Sequence, residues 1–459
     1  MELSRRLRSD GPGRLHHLQE VVSSREALRF WVKLGFINFG GPAGQIALMH
    51  REIVERRRWI TEEQFLRALN FSMFLPGPEA TQLAIYVGWL LHGTMGGVAA
   101  GTFFILPSVF VLLVLSWLVA AHGQVPAVAG LLYGVQPVVI AIVAEAVIRI
   151  GRRTLRHPVL ALVAAAAFAA IHVFAVPFPL IVAAAAGAGI LLARIVPGSF
   201  APRGQVEGDA APARAGENVD EVAAARPAAV PRRVYPPIGR AVRIVALFAA
   251  LWAVPVGALC LWRGAGDVLV KEALFFTGAA FVTFGGAYAV LGYIAHVAVN
   301  SYGWLSASQM VQGLALAEST PGPLIMVTQY VGFLGAWNHA RGISPLACGV
   351  LGALITTYVT FLFCFMFIFV GAPYVEALAG NRRIQAAFVG VTSAVVGVIL
   401  SLAVFFGTRV LFPPGQGLDV FALLLALASF VALVRFRVPI HDLVMAGAVL
   451  GMGFRLFVL

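Results

Sequence analysis

Apolar positions in this chain do not alternate with polar ones; they run together in blocks bounded by short basic or polar loops. In the amino-terminal half the blocks cover residues 27–48, 64–91, 93–121, 126–148, 158–173 and 177–196. In the carboxyl-terminal half they cover 272–298, 307–336, 343–371, 384–406, 417–434 and 438–458, and one further block covers 238–262. Such blocks are long enough for helices that cross the hydrocarbon core of a bilayer. The pattern predicts an all-α polytopic integral membrane protein with about 13 membrane segments. Residues 1–26 are basic and polar, with no apolar core ahead of a small-residue cleavage site, and read as a cytoplasmic tail rather than a signal peptide. Residues 197–237, rich in Ala, Pro and Arg, have the composition of a disordered linker.

The second half repeats the first. A shift of 245 places Phe36, Phe39, Gly40 and Gly41 on Phe281, Phe284, Gly285 and Gly286, and Trp59, Gln64 and Leu69 on Trp304, Gln309 and Leu314. The same shift places Pro76-Gly77-Pro78 on Pro321-Gly322-Pro323. Small gaps carry the match on to Tyr86-Val87-Gly88 and Tyr330-Val331-Gly332. Repeats of this kind are read before anything else. They divide the chain into a first repeat (27–196), a linker (197–237), an unpaired helix (238–262) and a second repeat (272–459). Two six-segment halves joined directly would face the same way; one added span turns the second over. Most of the 33 basic residues then fall on one side, which the positive-inside rule makes cytoplasmic. The expectation is two inverted-topology repeats, an architecture that transporters build around a site at the membrane midplane.

The same charge distribution favours re-entrant helical hairpins for the first two segments of each half, broken at Gly40-Gly41-Pro42 and at Pro76-Gly77-Pro78, over full spans, which would leave the parity of everything downstream unchanged. A broken helix frees backbone groups that hydrocarbon cannot satisfy, so it survives where it lines a cavity or packs on protein. Proline suits the first position of a new half-helix, and Pro78 and Pro323 fit that position better than Pro42. The unpaired amides of such a helix start favour an anion. The candidate transport site therefore comprises Asn38, Gly40, Gly41 and Pro42 at one break and Pro76, Gly77, Pro78, Thr81 and Gln82 at the next. From the second half it takes Gly285, Gly286, Ser319, Thr320, Pro321, Gly322, Pro323, Thr328 and Gln329. Neutral hydroxyls and amides can replace the lost waters of an oxyanion; the plainer reading is that they satisfy the broken backbone.

Charges inside apolar segments are functional hypotheses by default. Glu79, in the first turn after Pro78, is read either as a gating or proton-coupling group or as a plain helix cap, and Glu318 invites the same pair of readings. Arg67 either contributes a charge to the substrate or snorkels to the surface. Glu145 and Arg149 read as an i,i+4 pair near the interface.

Composition narrows the function classes. With 60% hydrophobic and 12% charged residues the chain is no soluble domain. Its net charge of +12 comes almost wholly from arginines flanking membrane segments, which argues against a nucleic-acid partner. Cys260, Cys348 and Cys364 lie in apolar segments without CxxC spacing, the histidines show no HxxH or HExxH spacing, and no GxxxxGK[ST] stretch is present. No metal, cofactor or ATPase activity is expected.

At these residues the sequence resembles the chromate ion transporter (CHR) family, of the long two-domain kind. The resemblance runs through Phe39-Gly40-Gly41-Pro42, Arg57-Arg58-Trp59, and Pro76 to Ala84 (PGPEATQLA). It continues through Gly88 and Phe104-Ile105-Leu106-Pro107-Ser108, with shorter Phe-Gly-Gly and Pro-Gly-Pro cores in the second half. The second copy departs from the first with Ala287 for Pro42 and Leu324 for Glu79. The resemblance implies a multi-pass secondary transporter, not an enzyme, that exports chromate across the bacterial inner membrane and confers chromate resistance. Sulfate or another oxyanion, as substrate or exchange partner, stays open because sulfate is a dianion of similar shape. A membrane enzyme acting on lipid phosphates would call for clustered interfacial acids and histidines, and a non-transporting receptor or scaffold would need no anion pocket. The partners expected are the oxyanion, the lipid bilayer and a second copy of the chain in a homodimer.

Overall fold

A computed structural model of the protein describes residues 22–196, 238–284, 286–374, 381–413, 415 and 417–457. The expected linker and nearly all of the expected tail lie outside the described residues, as does Gly285. Among the described residues the secondary structure is entirely helical.

Helix α1 (Ser24–Ile37) starts where the Ser23 hydroxyl accepts from the Glu26 amide at 3.2 Å, and it stops at the first break. Helix α2 (Gly41–His50) resumes beyond it and widens into a π turn over Arg51–Arg56. Helix α3 (Glu62–Phe74) opens on a capping box in which Thr61 and Gln64 each accept from the other's backbone amide. After the second break comes α4 (Glu79–His122), which reverses at His92 and Gly93 (φ 63°, ψ −154°) into a short arm and a long arm. The first half closes with α5 (Pro126–Thr154), α6 (Pro158–His172) and α7 (Phe178–Ile195). Helix α8 (Ile238–Arg263) follows. The second half comprises α9 (Val268–Val282), α10 (Ala287–His296), α11 (Ala307–Ser319), α12 (Val327–Asn338), α13 (Pro345–Gly371), α14 (Arg382–Leu411), α15 (Val420–Phe436) and α16 (Ile440–Phe457).

Local devices of the first half recur in the second, 245 positions on. Ser306 and Gln309 repeat the capping box of Thr61 and Gln64. A π turn over Val297–Ser301 answers that over Arg51–Arg56. Trp59 N donates to Ile53 O at 2.9 Å, and Trp304 N to Ala298 O at 2.8 Å. Two sequence expectations need correction. Pro78 and Pro323 are helix caps with extended backbone rather than first helical residues. The second also leads into a 3₁₀ turn (Leu324–Met326) before α12 begins, which its counterpart does not.

Seven helices among the described residues are long and apolar enough to cross a membrane: α4, α5, α7, α8, α13 (with the turn to Tyr374), α14 and α16. Two shorter apolar helices, α6 and α15, accompany them. In α1 the 14 residues reach only about 21 Å, short of the ~30 Å hydrocarbon core. The half-helices are therefore components of a core, not independent spans. Around them the long helices pack across the two halves: α5 lies against α15 and α16, and α14 against α6 and α7. These contacts are close because glycines meet. A Cβ on Gly134 would lie 2.7 Å from Gly451 Cα, and one on Gly390 would lie 2.9 Å from Gly189 Cα. Small residues at such crossings let helix backbones approach where the hydrophobic effect gives no drive.

Candidate functional site

The breaks meet in pairs, one from each half. Gly77 N, in the second break of the first half, donates to Thr283 O at 2.7 Å. Gly322 N, in the matching break of the second half, donates to Asn38 O at 2.9 Å. Gly77 (φ 127°) and Gly322 (φ 122°) hold a backbone conformation that only glycine adopts freely. Their missing side chains also make room: a Cβ on Gly77 would meet Cys364 Sγ at 3.0 Å, and one on Gly322 would meet Ser108 Cβ at 2.6 Å. Each Pro-Gly-Pro break thus rests on the long helix of the opposite half, α13 in one case and the long arm of α4 in the other.

This arrangement gathers helix starts. A Cβ on Gly286, at the head of α10, would lie 3.8 Å from Glu79 Oε1, so the first turn of α4 faces that of α10. Gln45 Nε2, one turn into α2, donates to Gly322 O at 2.7 Å, which ties α2 to the start of the Leu324–Met326 turn. Helix α10 packs on that turn as well, linking the two pairs. First-turn amides have no acceptor within their own helix and carry the positive end of its dipole.

Polar side chains at this junction are buried, and several are unsatisfied. Asn38 is fully buried with both side-chain polar atoms unpartnered. The hydroxyls of Thr81, Ser108 and Thr328 likewise have no partner, nor do Oε1 of Gln45 and of Gln82. An orphaned buried polar group costs about 1–3 kcal/mol, so such a cluster marks a place where a polar occupant is expected. For other candidates the plainer reading holds. Ser319 Oγ donates to Leu316 O and Thr320 Oγ1 to Ala317 O, both within the last turn of α11. Gln82 Nε2 satisfies Pro76 O at 2.6 Å. Gln329 is fully engaged, donating to Val109 O at 2.8 Å and accepting from Thr357 at 3.1 Å.

Charged groups divide similarly. Glu79 sits at the junction, Glu318 accepts a hydrogen bond from the buried Tyr288 hydroxyl, and Arg67 lies on the open face of α3 in an ion pair with Glu63. Glu145 and Arg149 pair at 3.2 Å. Pro42 and Gly40 flank the start of α2, with Gly40 capping it in a left-handed conformation and Gly41 opening it.

Sequence reasoning missed Gln45, Ser108, Tyr288 and Glu272. Glu272, in α9, is completely buried with neither carboxyl oxygen hydrogen-bonded. It occupies space left by Gly335 and Gly352, where a Cβ would stand 2.5 Å and 2.9 Å from its oxygens. The available signal was an acid inside an apolar segment whose counterpart 245 positions earlier is Ala27. Among the described residues no three His, Cys, Asp or Glu side chains converge as a metal site would need.

Comparison with known proteins supplies the family. The family described as "Chromate transporter" matches residues 25–190 and again 270–452, most of the chain. This chain belongs to the chromate transporter family. Its relatives include the chromate transport protein of Pseudomonas aeruginosa, 31% identical over 80% of this chain and 77% of its own length. The chromate transport protein of Cupriavidus metallidurans is 26% identical over 95% and 94% respectively. The probable chromate transport protein of Synechococcus elongatus is 28% identical over 86% and 87%. No solved structure matches the chain significantly. Membership supports chromate transport as the activity, in a multi-pass membrane protein whose named relatives are transporters. The two matched stretches of this chromate transporter include every break described above and leave α8 between them.

Proposed function

We propose that the protein is a secondary transporter exporting chromate across the bacterial inner membrane, with the junction of the four helix breaks as the substrate site and chromate resistance as the consequence. The observation that carries the reading is the reciprocal pair of hydrogen bonds, Gly77 to Thr283 and Gly322 to Asn38. Donors 245 positions apart bond acceptors 245 positions apart, each across to the other half. A two-fold axis between inverted repeats produces this pattern, and α8, unpaired in the duplication, supplies the inverting span. The donors left without partners at Asn38, Thr81, Ser108 and Thr328 suit the oxygens of a tetrahedral dianion. Each hydrogen bond to a charged group contributes about 1.5–3 kcal/mol.

Export is the cheaper direction. A dianion leaving a cell that is negative inside gains about 4.6 kcal/mol per 100 mV, from ~2.3 kcal/mol per charge. That energy sustains a gradient of roughly 10³-fold without further coupling. In the conformation described here Asn38, Thr81, Gln82, Thr328 and Gln329 are all buried. Alternating access therefore requires the paired breaks to part on one side at a time.

Energised everted vesicles containing the protein should accumulate labelled chromate; uptake equal to that of empty vesicles removes the export reading. Purified protein in liposomes, offered chromate and sulfate under the same voltage, decides which dianion the site prefers.

A further inference from the structure

Beyond transport, we propose that the groove between α8, the start of the long arm of α4 and the end of α13 is a binding site for an anionic phospholipid. The cavity there measures about 610 Å³ and is lined by Thr94 and Val98 of α4, Phe369 of α13 and one face of α8. On α8 the lining residues are Arg240, Arg243, Ile244, Leu247, Phe248 and Leu251, a stripe at helical spacing. Both cations stand at one end of the stripe and only apolar side chains continue it. Neither arginine pairs with an acid among the described residues, and no acid lines the groove.

The dimensions suit one lipid. From Arg240 to Leu251 the stripe runs about 16 Å at 1.5 Å per residue, close to the ~15 Å depth of one leaflet's hydrocarbon. Guanidinium groups bind phosphate oxygens in a bidentate fork, and basic pockets between membrane helices recognise anionic head groups. An acyl chain then lies along Ile244, Leu247 and Leu251, over a floor made by Phe248 and Phe369, whose rings are 6.3 Å apart. Leu247 is 56% exposed, so the wall awaits an apolar covering. A soluble acidic partner would satisfy the arginines and leave this stripe bare; a lipid satisfies both. The physical role is to fasten α8, which otherwise presents most of its apolar surface outward, with Val254 at 71% and Leu261 at 91% exposure.

The test uses the full chain, purified in detergent, followed by native mass spectrometry and thermal unfolding. The probes are long-chain phosphatidylglycerol, phosphatidylcholine with the same chains, and inorganic phosphate. Phosphatidylglycerol should stay bound and raise the unfolding midpoint, and the other two should not. The double substitution Arg240→Gln/Arg243→Gln should raise the phosphatidylglycerol concentration needed by about tenfold or more. Leu247→Gln should weaken retention while leaving both arginines in place. Equal retention of phosphatidylcholine, an equal shift with inorganic phosphate alone, or unchanged phosphatidylglycerol binding by the double variant each overturns the proposal.

Discussion

Adding one methyl group at Gly322 tests whether the breaks bear on each other as described. The new Cβ of Gly322→Ala would lie 2.6 Å from Ser108 Cβ and 2.7 Å from Ser108 Oγ. It would also force alanine to φ 122°, outside its ordinary range. The backbone strain costs about 1–3 kcal/mol and the overpacking a further ~1–3 kcal/mol. The sum, roughly 2–6 kcal/mol, is a large part of the ~5–15 kcal/mol that typically holds a protein folded. The two contributions separate in a double-mutant cycle with Ser108→Gly, which removes the atoms struck but leaves the dihedral strain. The cycle should return a favourable coupling of about 1–3 kcal/mol in thermal or denaturant unfolding of the purified protein. Chromate flux in vesicles should stay impaired in the double variant, because the dihedral strain at the break remains and the Ser108 hydroxyl is gone from the site. Strictly additive losses would mean that the second-half break does not rest on the long arm of α4, and the junction argument would fail with it.

Other consequences are as direct. Thr81→Val and Thr328→Val each delete an unpartnered buried hydroxyl, so stability should hold or rise by up to ~1 kcal/mol while the apparent affinity for chromate falls about tenfold; lost stability with unchanged flux contradicts a substrate role. Tyr288→Phe strips Glu318 of its donor and should lower stability by about 1–3 kcal/mol, a loss that Tyr288→Phe/Glu318→Leu largely restores in the same unfolding assay. The Arg56 guanidinium, bonded to Glu52 at 2.6 Å, holds that carboxyl below the usual carboxylate range. Its stabilisation is complete above the unfolded value of about 4.3 and fades as pH falls through the lower folded value, so Arg56→Gln should flatten the acid side of the stability–pH curve. Cysteine labelling at Glu55 and at Ser308 should report opposite sides of the membrane, and same-side labelling would contradict the inverted orientation.

The sequence exposed the frame of the site more clearly than its contents. Glycine and proline inside an apolar run have few structural excuses, so the breaks at Gly40-Gly41-Pro42 and Pro76-Gly77-Pro78 and their counterparts were visible in the sequence. The all-helical membrane class followed from the same blocks. What stayed hidden depends on distance along the chain. Nothing near Gln45 indicates that its amide reaches Gly322, 277 positions away, and nothing near Ser108 indicates that it packs on Gly322. Glu272 stands at the edge of its apolar block beside Lys271, and it is packing against Gly335 and Gly352, both far along the chain, that removes it from water. Ser319 and Thr320 had the right chemistry in the right place, yet their hydroxyls turn back onto α11. A side chain beside a broken helix has two available jobs, and local sequence does not say which one it takes.

Symmetry in the frame and asymmetry in the charges follow from one constraint. The devices that shape the breaks occur in both halves: Gly77 and Gly322, the two capping boxes, the two π turns. The acids do not. Glu79 corresponds to Leu324 in the ungapped register, Glu318 to Met73 with its partner Tyr288 corresponding to Ala43, and Glu272 to Ala27. Duplicated glycines help bring matching breaks together, because each needs the same close approach. Duplicated acids at the same places would double the number of carboxylates whose burial is costly, and a second one near the junction would add charge that repels a dianion. One acid per pair avoids both penalties and gives the two access routes different electrostatics. That difference does not set the direction of net transport, which follows from the substrate gradient and the voltage across the membrane; it makes the two halves of the junction chemically distinct in a frame that is otherwise repeated.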